Sequence, residues 1–209
     1  MKIDAVVFDM DGVLIDAREW HYEALNRALG HFGYTISRFD HLVTYDGLPT
    51  RQKLEMLSRE RGLPRDLHRF LNDLKQVYTM EIVHARCKPT FQHEFALSRL
   101  HASGYRLAVA SNSIQRTVDV MMERADLAKY LEVFMSNERV ARGKPDPEIY
   151  LQTMAELGVA PEATLVVEDN EKGIKAATDA GAHVLPVQEP VDVTYDRIRA
   201  EIERLEAVA

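Results

Sequence analysis

A single cysteine, Cys87, stands in the whole chain. One thiol excludes an internal disulfide framework and any zinc cluster built on several thiolates. Long apolar runs are missing too, since no stretch approaches the ~18 residues that a membrane span needs. The first residues, Met1-Lys2-Ile3-Asp4, lead straight into a strand-like run, without the apolar segment and small-residue cleavage site of a signal peptide. Nor is there an excess of positive charge. Lysine and arginine number 26 against 33 aspartates and glutamates, a formal balance of −7, which argues against general nucleic-acid binding. The expectation is a cytoplasmic soluble protein of bacterial style with neither nucleic acid nor membrane as partner. Oligomeric state leaves no clear mark.

What is present is ordinary for a globular protein: 46% apolar and 28% charged residues. A length of 209 residues suffices for one good core and a smaller appended domain. The apolar run Ala5-Val6-Val7 reads as a buried parallel strand, followed at once by Phe8-Asp9-Met10-Asp11-Gly12-Val13. Two acids two apart and then glycine place charge where a strand stops and the backbone turns, which is where open α/β sheets bind ligands. The same residues also make ordinary turns. A calcium loop of the EF-hand type fails on spacing, because Val13 and Leu14 occupy the positions that need an oxygen ligand and glycine.

From about residue 16 to about 86 the pattern is helical throughout. Trp20, Ala24, Ala28, Leu29 and Phe32 mark one amphipathic helix, Leu54 and Leu57 a second closed by Gly62 and Pro64, and Leu67 to Ile82 a longer third. Such a block is too long for a simple strand-to-strand crossover and reads as an inserted domain. Its linkers are expected at Leu14 to Arg18 and at Cys87-Lys88-Pro89, the proline stiffening the second. From Thr90 onward helices and strands alternate: Phe91, Phe95 and Leu100; Leu107 to Ala110; Ile114 to Ala125; Val133 to Met135; Asp146 to Gly158; Leu165 to Val167; Gly173 to Ala180; His183 to Leu185; and a last helix through Tyr195, Ile198, Ile202 and Leu205. Alternation of this kind predicts a parallel sheet covered by helices on both faces.

Three further stretches carry polar residues at predicted strand ends. Ser111-Asn112-Ser113 precedes a helix and reads either as an N-cap or as a phosphate cradle at a helix N-terminus. Lys144 is pinned between Gly143 and Pro145 before another helix, although Arg139 and Arg142 nearby also fit a plain basic loop. Glu168-Asp169-Asn170 ends the strand Leu165 to Val167, and Asp169 or Asn170 also suits a helix cap.

Taken together and in order, these four stretches resemble the motifs of the haloacid dehalogenase superfamily of phosphotransferases, over essentially the whole chain. The resemblance implies an α/β fold, a Rossmann-like parallel sheet with helices on both faces and an inserted α-helical cap: residues 1–15 and 87–209 as core, 16–86 as cap. It implies Asp9 as the nucleophile on phosphorus and Asp11 as general acid and base. Ser111, Asn112 and Lys144 would bind phosphate. Asp9, Asp11 through its backbone carbonyl, and Asp169 would hold the metal, with Glu168 behind them or reaching it through water. The metal would be Mg²⁺. A carboxylate attacking a phosphate dianion meets like charge, and each unit pair at ~4 Å costs about 4 kcal/mol at an effective dielectric of about 20. A hard, oxygen-binding cation offsets that.

The expected function is a Mg²⁺-dependent phosphatase acting on a small phosphorylated metabolite, in particular a sugar phosphate, through an aspartyl-phosphate. A phosphomutase like β-phosphoglucomutase is the alternative. His21 stands in the first cap helix where that enzyme also has histidine, and Gly47-Leu48-Pro49-Thr50-Arg51-Gln52-Lys53-Leu54 resembles its substrate loop. There arginine is third after the glycine, whereas here Thr50 takes that place and Arg51 follows. Asp11 speaks against dehalogenases and phosphonoacetaldehyde hydrolases, so Lys53 reads as an anion contact or a solvated helix charge. An intact set of Asp9, Asp11, Lys144 and Asp169 speaks against a silent sugar-phosphate sensor. His21, Thr50, Arg51 and Lys53 are the candidate substrate contacts in the cap.

Overall fold

A computed structural model describes residues 2–45 and 48–208. The chain divides into two compact units, one formed by Met1–Asp16 with Cys87–Ala209 and the other by Ala17–Arg86. Chain order starts in the first unit with strand β1 (Ala5–Phe8), whose residues are all buried.

The second unit holds helices only, among the described residues. Helix α1 (Arg18–Gly30) is followed by the short α2 (Arg38–Asp40) and a π-type turn (His41–Tyr45), then α3 (Thr50–Arg61) and α4 (His68–Arg86). The apolar spacing that predicts α1, α3 and α4 places Leu25, Leu29, Leu54, Leu57 and Leu71 in one core with Ile36 and Tyr45. Helix α3 ends where Gly62 takes a left-handed conformation at φ 71°, as a C-terminal glycine permits. Ser58 then fastens the turn, its hydroxyl donating to the Leu63 carbonyl at 2.6 Å. The segment 38–45 carries no apolar periodicity, and its start rests on Ser37, whose hydroxyl accepts from the Asp40 amide at 3.0 Å. Gly47 of the proposed substrate loop lies outside the described residues.

The first unit resumes with α5 (Phe91–Ala102), β2 (Arg106–Ala110), α6 (Gln115–Arg124), β3 (Val133–Met135), α7 (Glu148–Leu157), β4 (Thr164–Glu168), α8 (Glu171–Asp179), β5 (His183–Pro186) and α9 (Tyr195–Val208). The five strands form one parallel sheet of order β3-β2-β1-β4-β5. Val6, Val7, Leu107, Ala108, Leu165 and Val166 are all fully buried. Because successive strand residues point to opposite faces, burial of both sets requires cover on both sides. On one side Ala5, Val7, Ala108 and Val166 pack with Ile149, Met154, Ala176 and Ala177 from α7 and α8.

Helix α5 departs from its predicted face. Phe91 and Phe95 are exposed, at 83% and 45%, and the buried stripe is His93, Ala96, Leu97 and Leu100. The two phenylalanines stack on each other at 5.8 Å and Phe95 meets the Tyr195 ring edge-on, so they pack laterally rather than into the sheet. Cys87 is buried, and burial pushes its thiol up to about 11.

Candidate active site

The strand order reverses at β1, which has β2 on one side and β4 on the other. Side chains leaving the carboxyl ends of these three strands converge there. Asp9 follows β1, and its amide continues the ladder by donating to the Val167 carbonyl at 3.0 Å. The chain then turns tightly: the amides of Leu14 and Ile15 donate to the Met10 carbonyl at 3.0 and 2.9 Å, and the Gly12 amide to the Ile15 carbonyl at 2.7 Å. Gly12 has φ 92°, and a Cβ there would lie 2.0 Å from Asp169 Oδ2. Only glycine lets the turn after β1 approach the acid after β4.

Asp9, Glu168 and Asp169 offer carboxylate oxygens that all lie within 4.8 Å of one another. Lys144, from the loop before α7, reaches into this group. Its Nζ donates to Asp9 Oδ1 at 2.5 Å, to Glu168 Oε1 at 2.6 Å and to the Ala110 carbonyl at 2.9 Å. Asp9 shares the one ammonium with Glu168, and Asp169 stands close by, so pairing does not by itself decide the Asp9 titration. Burial raises the Asp9 carboxyl well above its usual range; Lys144 pulls it down, while Glu168 and Asp169 push it up. Burial works against the Lys144 charge, yet Asp9 and Glu168 outweigh it and raise its pKa, so the ammonium persists.

Glu168 is fully buried and its oxygens are occupied. Besides Lys144, Oε1 accepts from the Tyr150 hydroxyl at 2.7 Å, and Oε2 from the Asp169 amide at 3.1 Å and from Asn170 Nδ2 at 3.2 Å. Asp169 is partly exposed beside it. Asn170 takes the helix-capping role, its Oδ1 accepting from the amides of Lys172 and Gly173, each at 3.1 Å. A Cβ on Gly173 would stand 1.7 Å from Glu168 Oε1, so the first turn of α8 closes directly on that carboxylate.

Asp11 is half-buried, and its Oδ2 accepts from the Ser113 hydroxyl at 3.0 Å. Ser111 is buried at the end of β2, its Oγ accepting from the Ser113 amide at 3.1 Å. The side chain of Asn112 does not face an open cradle. Its Oδ1 accepts from the Lys144 amide at 2.9 Å and its Nδ2 donates to the Lys144 carbonyl at 3.2 Å. Both polar groups of the Asn112 side chain are thus engaged with the Lys144 backbone.

The helical unit carries the other candidates. Thr50 opens α3, Arg51 is exposed beside it, and His21 lies on α1 with Nδ1 3.3 Å from the buried Lys75 Nζ of α4. Lys53 is only 8% exposed, which removes the solvated-charge reading. Ser113, Tyr150 and Lys75 were not singled out by sequence reasoning. Tyr150 and Lys75 carry no signal beyond lying inside predicted helices, and Ser113 reads as one of several capping residues.

Acids at the carboxyl ends of parallel strands, around a buried lysine at the strand where the order reverses, define a doubly wound α/β enzyme. The family model described as haloacid dehalogenase-like hydrolase matches residues 6–187, and the chain belongs to that family. Among relatives, a protein of Thermotoga maritima named "phosphorylated carbohydrates phosphatase" is 33% identical over 184 residues, covering 86% of this chain and 82% of its own. The crystal structure of β-phosphoglucomutase from Clostridium difficile has a TM-score of 0.81 at 18% identity, covering 98% of this chain and 99% of its own. CbbY from Rhodobacter sphaeroides, crystallised in complex with phosphate, has a TM-score of 0.80 at 22% identity, with 88% and 85% covered. These two likenesses show the fold. The chain is accordingly an enzyme, a hydrolase whose relatives include phosphate-ester phosphatases.

Proposed function

We propose that the chain is a Mg²⁺-dependent phosphatase of small phosphorylated metabolites, sugar phosphates first among them. The observation that carries this reading is the buried ammonium of Lys144 held 2.5 Å from Asp9 with Asp169 alongside, a pairing suited to a carboxylate that must approach a phosphate dianion. In the first half-reaction an Asp9 oxygen bonds to phosphorus, the ester P–O bond breaks, and Asp11 gives its proton to the leaving oxygen. In the second, Asp11 takes a proton from water, whose oxygen bonds to phosphorus as the bond to Asp9 breaks and inorganic phosphate leaves. Ser113 holds Asp11 in place for both transfers, and the main-chain amides after Ser111 cradle the phosphate oxygens. Lys144 offsets charge on Asp9 and on the phosphoryl group.

The donor set fits a hard cation: oxygen donors only, with three clustered acids of which two share the Lys144 ammonium. Asp9, Asp169 and the Asp11 backbone carbonyl would hold Mg²⁺, which when bound neutralises phosphate oxygens. Glu168, filled by its own donors, steadies Lys144 and the turn into α8. In the helical unit, His21, Thr50, Arg51 and Lys53 are assigned to substrate choice.

The name of the Thermotoga relative makes phosphorylated carbohydrates the substrates to test first. Phosphate release should be measured across sugar phosphates with the wild type, with excess EDTA, and with Asp9→Asn. Hydrolysis that stops with EDTA, returns with Mg²⁺, and is absent in Asp9→Asn together with any phosphoenzyme supports the reading. Isomerised sugar phosphate formed in place of inorganic phosphate would make the chain a phosphomutase.

A further inference from the structure

We propose that Asn112 is a positioning residue that acts through Lys144, clasping the lysine backbone so that its ammonium is delivered to Asp9. This rests on the reading of Lys144 as the cation at the reacting centre. Lys144 comes from a loop, and a lysine side chain has about 2 kcal/mol of rotamer entropy. A loop that drifts carries the ammonium with it. The end of β2 prevents this by gripping the residue twice. The Ala110 carbonyl receives Nζ at 2.9 Å, and two residues on Asn112 takes both backbone groups, the amide at 2.9 Å and the carbonyl at 3.2 Å.

The clasp is itself braced. Asn137 Nδ2 donates to the Asn112 carbonyl at 2.7 Å, and the Asn137 amide donates to the Ser113 carbonyl at 3.1 Å. On the far side Gly143 approaches so closely that a Cβ would stand 2.5 Å from Asn112 Oδ1. Gly143 does not have a positive φ, so backbone conformation does not explain the glycine. Room for the asparagine amide does. A primary amide with one acceptor and one donor side by side matches a peptide's N–H and C=O, which neither serine nor aspartate does.

The test is a double-mutant cycle with kcat and KM measured on a hydrolysed phosphomonoester. Asn112→Ala is expected to lower kcat by about ten- to a hundredfold at nearly constant KM. In a Lys144→Ala background the same change should cost nothing further, because its only route is gone. Multiplicative losses, or a rise in KM alone, would overturn the proposal and return Asn112 to direct phosphate contact. Gly143→Ala, which pushes on the amide from the other side, should reproduce the loss in kcat; wild-type kcat and exchange in that variant would also overturn it. Hydrogen exchange supplies a readout that needs no turnover. The Lys144 amide should exchange faster in both variants, by more than any fall in the urea midpoint of unfolding accounts for. Unchanged exchange sinks the clasp even if the enzyme is a phosphatase, whereas faster exchange in a chain that hydrolyses no phosphomonoester would sink the functional reading and leave the clasp.

Discussion

Tyr150 and Glu168 share a fully buried hydrogen bond of 2.7 Å, on the same carboxylate oxygen that takes the Lys144 ammonium at 2.6 Å. Burial first, and then Glu168 and Asp9, raise the Tyr150 hydroxyl well above its usual pKa, so it remains a donor. The Lys144 Nζ also lies 4.8 Å from the tyrosine ring centre. Tyr150→Phe keeps the ring and removes one donor from a buried carboxylate, which costs about 1–3 kcal/mol in stability. Urea unfolding should report that loss. Turnover should fall with it, because Glu168 is then free to turn and draw Lys144 off Asp9. Unchanged stability and kcat would mean that the remaining donors hold Glu168 unaided.

Two helical glycines should respond in opposite directions to alanine. Gly30 ends α1 with nothing within 4 Å of the place a Cβ would take, so Gly30→Ala should stabilise by about 0.5–1 kcal/mol through the entropy of the unfolded chain. Gly173 has the same propensity argument, but its Cβ would overlap Glu168 Oε1 at 1.7 Å. Either the first turn of α8 moves or Glu168 gives up Lys144 and Tyr150, a cost of about 1–3 kcal/mol or more. Thermal unfolding of the two variants should therefore shift up for Gly30→Ala and down for Gly173→Ala. A gain in both would mean that α8 yields without disturbing Glu168.

These glycines mark the limit of what the sequence discloses. The continuous apolar runs of β1, β2 and β4 identify a buried parallel sheet, and the acids that follow β1 and β4 mark its carboxyl edge. Alternation from Thr90 onward places the remaining elements close to where they form. What a pattern of residue types does not carry is the partner of each polar group. Asn112 reads as a cap or a phosphate contact until its amide is seen against the Lys144 backbone. Tyr150 reads as one more apolar residue of α7, and His93 as a polar residue between two phenylalanines. In α5 the pattern misleads, because the large residues Phe91 and Phe95 outweigh Ala96 in any hydrophobicity count. The small residue is fully buried with Leu97 and Leu100, while Phe95 packs beside Tyr195 of α9 with Phe91 stacked on it.

Arg51 bears on substrate choice. It is exposed in the first turn of α3, and an arginine there suits a second anionic or polyhydroxyl group. Arg51→Ala should lower kcat/KM by roughly ten- to a hundredfold for the preferred sugar phosphate, the equivalent of a charge-assisted contact of about 1.5–3 kcal/mol. For a generic aryl phosphate the loss should be slight. Equal losses on both substrates would assign Arg51 to the chemistry or the fold of its unit, and no loss on either would leave it a surface charge.

His93 gives the fold a pH dependence whose sign follows from its surroundings. It is buried on the inner face of α5, with Nε2 2.9 Å from the Pro190 carbonyl and the backbone carbonyl of Leu14 close to the ring. Burial lowers its pKa below 6.5, and the two carbonyls, which favour the charged ring, only partly oppose this. The native state therefore holds His93 neutral at a pH where the unfolded chain already binds a proton. Between the depressed native pKa and about 6.5 the unfolded state carries more protons, so stability rises with pH in that window and is lost as pH falls through it. His93→Gln keeps a donor for Pro190 and removes the titration. The stability advantage of wild type over this variant, measured by urea unfolding, should be largest above about pH 7 and shrink on acidification through about 6.5. An advantage that stays constant between about pH 8 and pH 5 would show that His93 titrates alike in both states, and that the two carbonyls balance its burial.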